Sequence, residues 1–377
     1  MMATGEPAAS WAEAALGRLR RGMDGLDALL GSGADLEAVV RRAAGSFGFA
    51  MGVRTADGTV VSGGRDGSLS AGPPPPGARC RRLPGGSHVW LHSGDGTAPE
   101  NGEAPASAGG SPADLEELVL RCFGDAVERT IARSGERQTA ADIHTAVDGL
   151  ASAEDRRHAL RRLGLRDRAP VMLLALAGPA AGVERVLGQI RTLAPVVHHV
   201  RDDRVHLVLA DGLGGVRELH MPLGVRGAFT PPGPASRAPE AWRHARNALR
   251  FALPSTRETG PYRKSEAVLV DSSALGSYAI LAEQLGAEGL AQVPDVQRLA
   301  QLLRDSGPEM ERTLLAVAAT DSLRQAARTV HLHHNSVAHR VQRAEKVLGF
   351  SCTVPYGRAR LLLTLTLHRL LESHKLF

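Results

Sequence analysis

Residues 323–350 read LRQAARTVHLHHNSVAHRVQRAEKVLGF. Ser322 stands just before them as a candidate N-cap for a short helix, LRQAARTV. His331-Leu332-His333 then forms a tight turn, and a longer helix runs from about His334 to Leu348. It stops at Gly349, a residue that enters the left-handed conformation without steric cost. Val337, Val341, Ala344 and Leu348 fall on one stripe of this helix, the spacing of a core-facing side. Asn335, His339, Gln342, Arg343 and Lys346 fall on the opposite side. Amides, an imidazole and cations are the groups that address base edges and phosphates. On the shorter helix, Ala326 and Ala327 are small enough to let two helices cross closely. Helix, tight turn and second helix with a polar-basic side is helix-turn-helix geometry.

The surroundings extend the pattern. Pro308 opens a preceding helix, PEMERTLLAVAA. The net charge of the chain is +5. Residues 308–377 hold ten Lys and Arg against five Asp and Glu, so the whole excess lies in the last fifth. Localised positive charge favours a phosphate-bearing partner.

QAARTVHLHHNSVAHRVQRAEKVLG resembles the C-terminal helix-turn-helix of PucR/CdaR regulators. The matching positions are Ala327, Arg328, His333, Asn335, Arg340, Arg343, Glu345 and Gly349, with conservative replacements at Leu332, Ser336, Val337 and Val341. The tail YGRARLLLTLTLHRLL resembles the helix that closes that domain. Departures are His334, where the family favours Arg, and Ala338-His339, where it favours a basic residue and Tyr. The resemblance implies a DNA-binding transcriptional regulator with the helix from His334 in the major groove. The implied contact set is His334, Asn335, Ser336, His339, Arg340, Gln342, Arg343 and Lys346. Asn335, Ser336 and His339 are expected at bases, and Arg340, Arg343 and Lys346 at phosphates. Arg340 also flanks the core stripe, where it has a competing role as partner to an acidic residue inside the domain. One such unit buries too little DNA for high specificity, so a homodimer reading two half-sites is expected on double-stranded DNA.

The histidines invite a metal reading, H-x-H-H at 331–334 with His339 beyond. Five residues separate His334 from His339, which puts them on different sides of a helix, unlike an i, i+4 zinc pair. No acidic residue lies near enough in sequence to complete a set. His333 is expected as an N-cap or turn residue, and no metal is assigned.

Further upstream, PVMLLALAG reads as a buried strand, GVERVLGQIRTLA as a helix, VVHHVRD and RVHLVLADG as a hairpin, VRGAFTPPG as a strand and PEAWRHARNALRFAL as an amphipathic helix. This order resembles a ferredoxin-like sheet and the GGDEF-like domain of the same regulators. The central hairpin reads HHVRDDRVH and lacks the glycines that would let backbone approach a phosphate. The domain is therefore read as catalytically silent, with Asp202 and Asp203 as a polar hairpin tip. EAVLVDSSALGSYAILAE resembles the strand and helix that follow it.

The first part of the chain combines the helical DLEAVVRRAAGSFG, a hairpin turning at Asp57-Gly58, the Pro-rich AGPPPPGARC, a strand SHVWLHSG and a long helix from Leu115. This pattern resembles a small GAF- or PAS-like sensory domain. DGTAPENGEAPASAGGSPAD is low in complexity and expected to be disordered.

The expected fold class is thus α+β multidomain: a GAF/PAS-like sensory domain with its exit helix (1–137), a helical linker (138–168), a degenerate ferredoxin/GGDEF-like α/β sandwich (169–265), a helical connector (266–306) and an all-α helix-turn-helix domain (307–377). The N-terminus has no signal-peptide core, and VMLLALAGPAAGV falls short of a membrane span. Cys80, Cys122 and Cys352 match no zinc or redox spacing. These features point to a cytoplasmic protein. No Walker A, G-x-G-x-x-G or G-x-S-x-G motif occurs, so no cofactor and no enzymatic activity are expected. The first domain would sense a small-molecule effector or a partner. Two rivals remain at this level: a cyclic-nucleotide signalling enzyme using the middle domain, and an interaction module whose helix-turn-helix no longer binds DNA.

Overall fold

The computed structural model describes residues 6–93, 112–258, 262 and 266–376. The chain divides into two units, Met1–Gln138 and Thr139–Phe377. The low-complexity segment from Asp95 lies outside the described residues as far as Ser111.

The first unit contains α1 (Glu6–Ser32), α2 (Leu36–Phe47), β1 (Ala50–Arg54), β2 (Val60–Gly63), β3 (Leu69–Ser70), β4 (Arg79–Arg82), β5 (His88–His92) and the start of α3 (Pro112–Val147). The strands form one sheet in the order β3-β2-β1-β5-β4, antiparallel at every pairing. Asp35 caps α2 by accepting from the Ala38 N–H at 2.8 Å. Alternation along β5 sends Val89 and Leu91 into a core with Val39, Val40 and Phe47 of α2 and Val119, Leu120 and Phe123 of α3. Trp90 points to the other side, over Gly52, where any side chain would collide with the indole.

The second unit starts with the end of α3 and continues through α4 (Ala153–Arg162), β6 (Pro170–Ala177), α5 (Ala180–Leu193), β7 (Val196–Asp202), β8 (Val205–Asp211), β9 (Arg226–Phe229), β10 (Gly233–Pro234), α6 (Ala238–Leu249) and β11 (Leu269–Asp271). A buried Asp142 holds Arg162 through a two-pronged ion pair, fixing α4 against α3. The sheet runs β11-β9-β6-β8-β7, with β10 on β6. β6 is central and antiparallel to both neighbours, and only β11 pairs in parallel, on β9.

The middle segment was expected to resemble a ferredoxin-like sheet, and its layering differs from that expectation. In a ferredoxin-like sheet both crossover helices cover one face. Here Val183, Val186, Leu187 and Ile190 of α5 pack with Met172, Leu174 and Leu176. Trp242, Ala245 and Leu249 of α6 pack with Val171, Leu173 and Ala175, the alternate side chains of the same strand. The helices therefore lie on opposite faces. The cause is visible in β6 itself: seven consecutive apolar residues leave neither face fit for water.

The chain ends in a helical array: α7 (Tyr278–Gln284), α8 (Ala287–Ala291), α9 (Pro294–Ser306), α10 (Pro308–Ala318), α11 (Leu323–Val330), α12 (His334–Leu348) and α13 (Pro355–Ser373). Leu299 and Leu302 of α9, Met310 and Leu314 of α10, Val337 and Val341 of α12, and Leu361 and Leu365 of α13 share one core. α9 is thus part of the C-terminal fold. Among the described residues no helix is long and apolar enough to cross a membrane.

Candidate nucleic-acid interface

Two caps and one strained residue shape the turn between α11 and α12. Ser322 Oγ accepts from the Gln325 N–H at 3.3 Å and starts α11. His331 ends it in the left-handed conformation, φ 56° and ψ 41°, and the Leu332 N–H returns to the Ala327 carbonyl at 3.0 Å. Histidine tolerates this conformation better than most residues with a Cβ. His333 then caps α12, its ring Nδ1 accepting from the Asn335 N–H at 3.3 Å. The turn histidines are employed in holding the backbone, and among the described residues no three His, Cys, Asp or Glu side chains cluster.

α12 buries Val337, Val341, Ala344 and Leu348 and ends at Gly349, φ 80°. Ala326 and Ala327 of α11 are buried in the same core. With that stripe turned inward, His334, Asn335, Ser336, His339, Gln342, Arg343 and Lys346 are all exposed. Asn335, His339, Gln342, Arg343 and Lys346 follow one side along the helix. Ser336 flanks them, and His334 lies at the first turn toward the other edge.

Arg340 departs from this set. Its Nη1 donates to Thr313 Oγ1 at 2.9 Å and to the Glu309 carbonyl at 3.2 Å, with the Glu309 carboxylate at 3.9 Å. The side chain ties α12 to α10, so its expected phosphate contact gives way to the competing role inside the domain. Glu345 is also structural. Its carboxylate accepts from the Cys352 N–H at 2.7 Å and Ser351 Oγ at 3.0 Å, closing the turn into α13.

The positive charge of this region is sorted by pairing. Arg312 and Arg340 meet Glu309, Arg358 meets Asp321, Arg360 meets Asp295 and Lys375 meets Glu372. Among the described residues from Pro308 onward, the exposed cations left without an ion pair are Arg324, Arg328, Arg343 and Lys346. All four lie on α11 and α12. Arg324 and Arg328 were missing from the expected contact set. Their i, i+4 spacing away from Ala326-Ala327 was the available signal.

Residues 311–367 match the PucR C-terminal helix-turn-helix domain. No curated protein matches the chain. Among solved structures, the chain is similar to a regulator of polyketide synthase expression from Bifidobacterium adolescentis at 18% identity and a TM-score of 0.27, over 62% of this chain and 98% of that one. The chain therefore carries, at residues 311–367, a helix-turn-helix domain of the PucR C-terminal type.

Proposed function

We propose that the protein is a DNA-binding transcriptional regulator that reads the major groove with α12. The observation that carries this reading is the sorting of α12: its apolar stripe is consumed by the core, and its opposite side is exposed, polar and basic. Asn335 and His339, with Ser336 at the edge, are assigned to base edges. Arg343 and Lys346 are assigned to phosphates, joined by Arg324 and Arg328 of α11. Gln342 and His334 complete the surface. A homodimer would place two such surfaces on adjacent half-sites. The first unit, a helix-flanked antiparallel sheet, is assigned a GAF/PAS-like sensory role, and the middle sheet a silent GGDEF-like one. Its hairpin turns at Asp203, φ 52°, without glycine, which supports a structural tip over a phosphate cradle. The protein acts in the cytoplasm, where its DNA is.

The test is recovery of genomic DNA bound to the full chain, followed by anisotropy titration on the recovered sites at several salt concentrations. Asn335→Ala should cost about 1–3 kcal/mol and alter preference at one base position. Arg343→Ala with Lys346→Ala should weaken binding to every sequence and lower the salt slope by about two. An unchanged base preference in Asn335→Ala would displace the reading surface from this side of α12.

A further inference from the structure

α13 presents two sides to two neighbours. Leu361 and Leu365 enter the helix-turn-helix core. Leu362, Thr366 and Arg369 face the middle sheet, where they line a cavity of about 390 Å³ together with Phe229, Phe251 and Tyr278. That volume suits a metabolite-sized molecule. The aromatic wall is braced: Phe251 and Tyr278 meet edge to face at 6.4 Å, and the Arg217 guanidinium lies 5.6 Å above the Phe229 ring.

The polar groups in the wall are unequal. Arg217 is neutralised by Asp271 at 2.5 Å. Arg369 has no such partner among the described residues. Its Nε is buried without a hydrogen bond, and Nη1 reaches the Phe251 carbonyl only at 3.4 Å. Glu311 of α10 influences it through charge alone, and burial still holds the guanidinium below its ordinary value. A cation withdrawn from water without a carboxylate is costly, and a bound carboxylate would supply the missing two-pronged pair.

We propose that this cavity binds a small aromatic carboxylate, with its ring against Phe251 and Tyr278 and its carboxylate on the Arg369 guanidinium. The occupant would press on α13, whose other side closes the DNA-reading core. That regulatory consequence rests on the regulator reading, whereas binding itself does not.

The experiment uses the full chain with phenylacetate as probe and 2-phenylethanol as its uncharged counterpart, titrated by calorimetry and by ligand-observed NMR. Phenylacetate should bind saturably, and 2-phenylethanol about tenfold more weakly or less. Arg369→Gln should lose about tenfold in phenylacetate affinity. Ala274→Trp, at an exposed position on the cavity wall, should block binding without lowering the melting temperature. Absence of saturable phenylacetate binding at millimolar concentration overturns the proposal. So does equal affinity for the two probes, or binding indifferent to both variants. DNA affinity, measured separately, separates the two readings. Probe binding without DNA binding overturns the regulator reading alone, and DNA binding without probe binding overturns the cavity alone.

Discussion

His199 and His206 stack across the β7–β8 hairpin, ring centres 5.1 Å apart and planes 8° from parallel, with Nε2 and Nδ1 2.9 Å apart. Burial lowers both imidazoles below their ordinary value. The charge of His206 adds to this at His199, and that of Arg201 at His206. The fold therefore keeps both neutral, while the unfolded chain protonates them near the usual value of about 6.5. Below that pH the unfolded state binds more protons than the native state. Stability is full above about pH 6.5 and falls as the pH drops toward the lowered native values. Urea titrations at about pH 7.5 and about pH 5.5 should show the midpoint falling at the lower pH, and His199→Gln should flatten the difference. An equally steep fall in the variant would assign the effect to other groups. The adjacency was hidden in the sequence, since His199 and His206 meet only through the hairpin register. His198-His199, adjacent in sequence, diverge, and His198 turns to the Leu163 carbonyl at 2.7 Å. Cys352 belongs to the same scale: burial, and then Glu345, push its thiol up to about 12, so it packs as an apolar group.

At the scale of elements, Gly357 in the first turn of α13 is the most constrained position. A Cβ there would lie 1.7 Å from the Ser351 carbonyl oxygen, which is backbone and cannot rotate away. Gly357→Ala should destabilise the helical array by about 1–3 kcal/mol, read as a lower thermal midpoint, and a neutral outcome would mean the turn into α13 shifts freely. The α11–α12 unit was legible because its information is local: an apolar stripe of helical period, a capping serine and a terminal glycine. α9 was legible as a helix but not as part of the C-terminal core. Its stripe of Val296, Leu299 and Leu302 announces a buried side without naming the partner. The same limit applied to α5 and α6. The order of strands and helices along the chain was legible, whereas the face each helix takes is set by the crossover between strands. The continuous apolar run of β6 was the one clue that both faces needed cover. β4 was read as the end of a Pro-rich loop. Its residues Arg79–Arg82 are polar apart from Cys80, and their strand character comes from pairing with β5.

Within the second unit, Arg250 joins the middle sheet to the helices that follow. It is 7% exposed and, among the described residues, has no carboxylate partner. Its guanidinium donates to the Ala282, Leu285 and Leu370 carbonyls and to Ser373 Oγ at 3.2 Å, and meets His374 Nε2 at 2.8 Å. Those acceptors belong to α7, to the turn after it, and to the end of α13. Phe251, Ala282, Leu290 and Leu370 pack alongside. Arg250→Met should leave these acceptors unpaired at a cost of about 3–5 kcal/mol. Calorimetry should then show the unfolding transition of this unit broader than in the unsubstituted protein, or split. A single sharp transition at the original temperature would show that apolar packing alone makes the joint.

On the proposed function, a DNA reader held by these contacts would have little freedom to swing against the middle sheet. Two copies bound to neighbouring half-sites would have to accept whatever separation their own joints dictate. The adjustment to an imperfect operator would then fall on the double helix, through bending or altered twist. Inserting half a helical turn of DNA between half-sites would rotate one of them away from its reader. The phasing of the operator would thus matter as much as its letters.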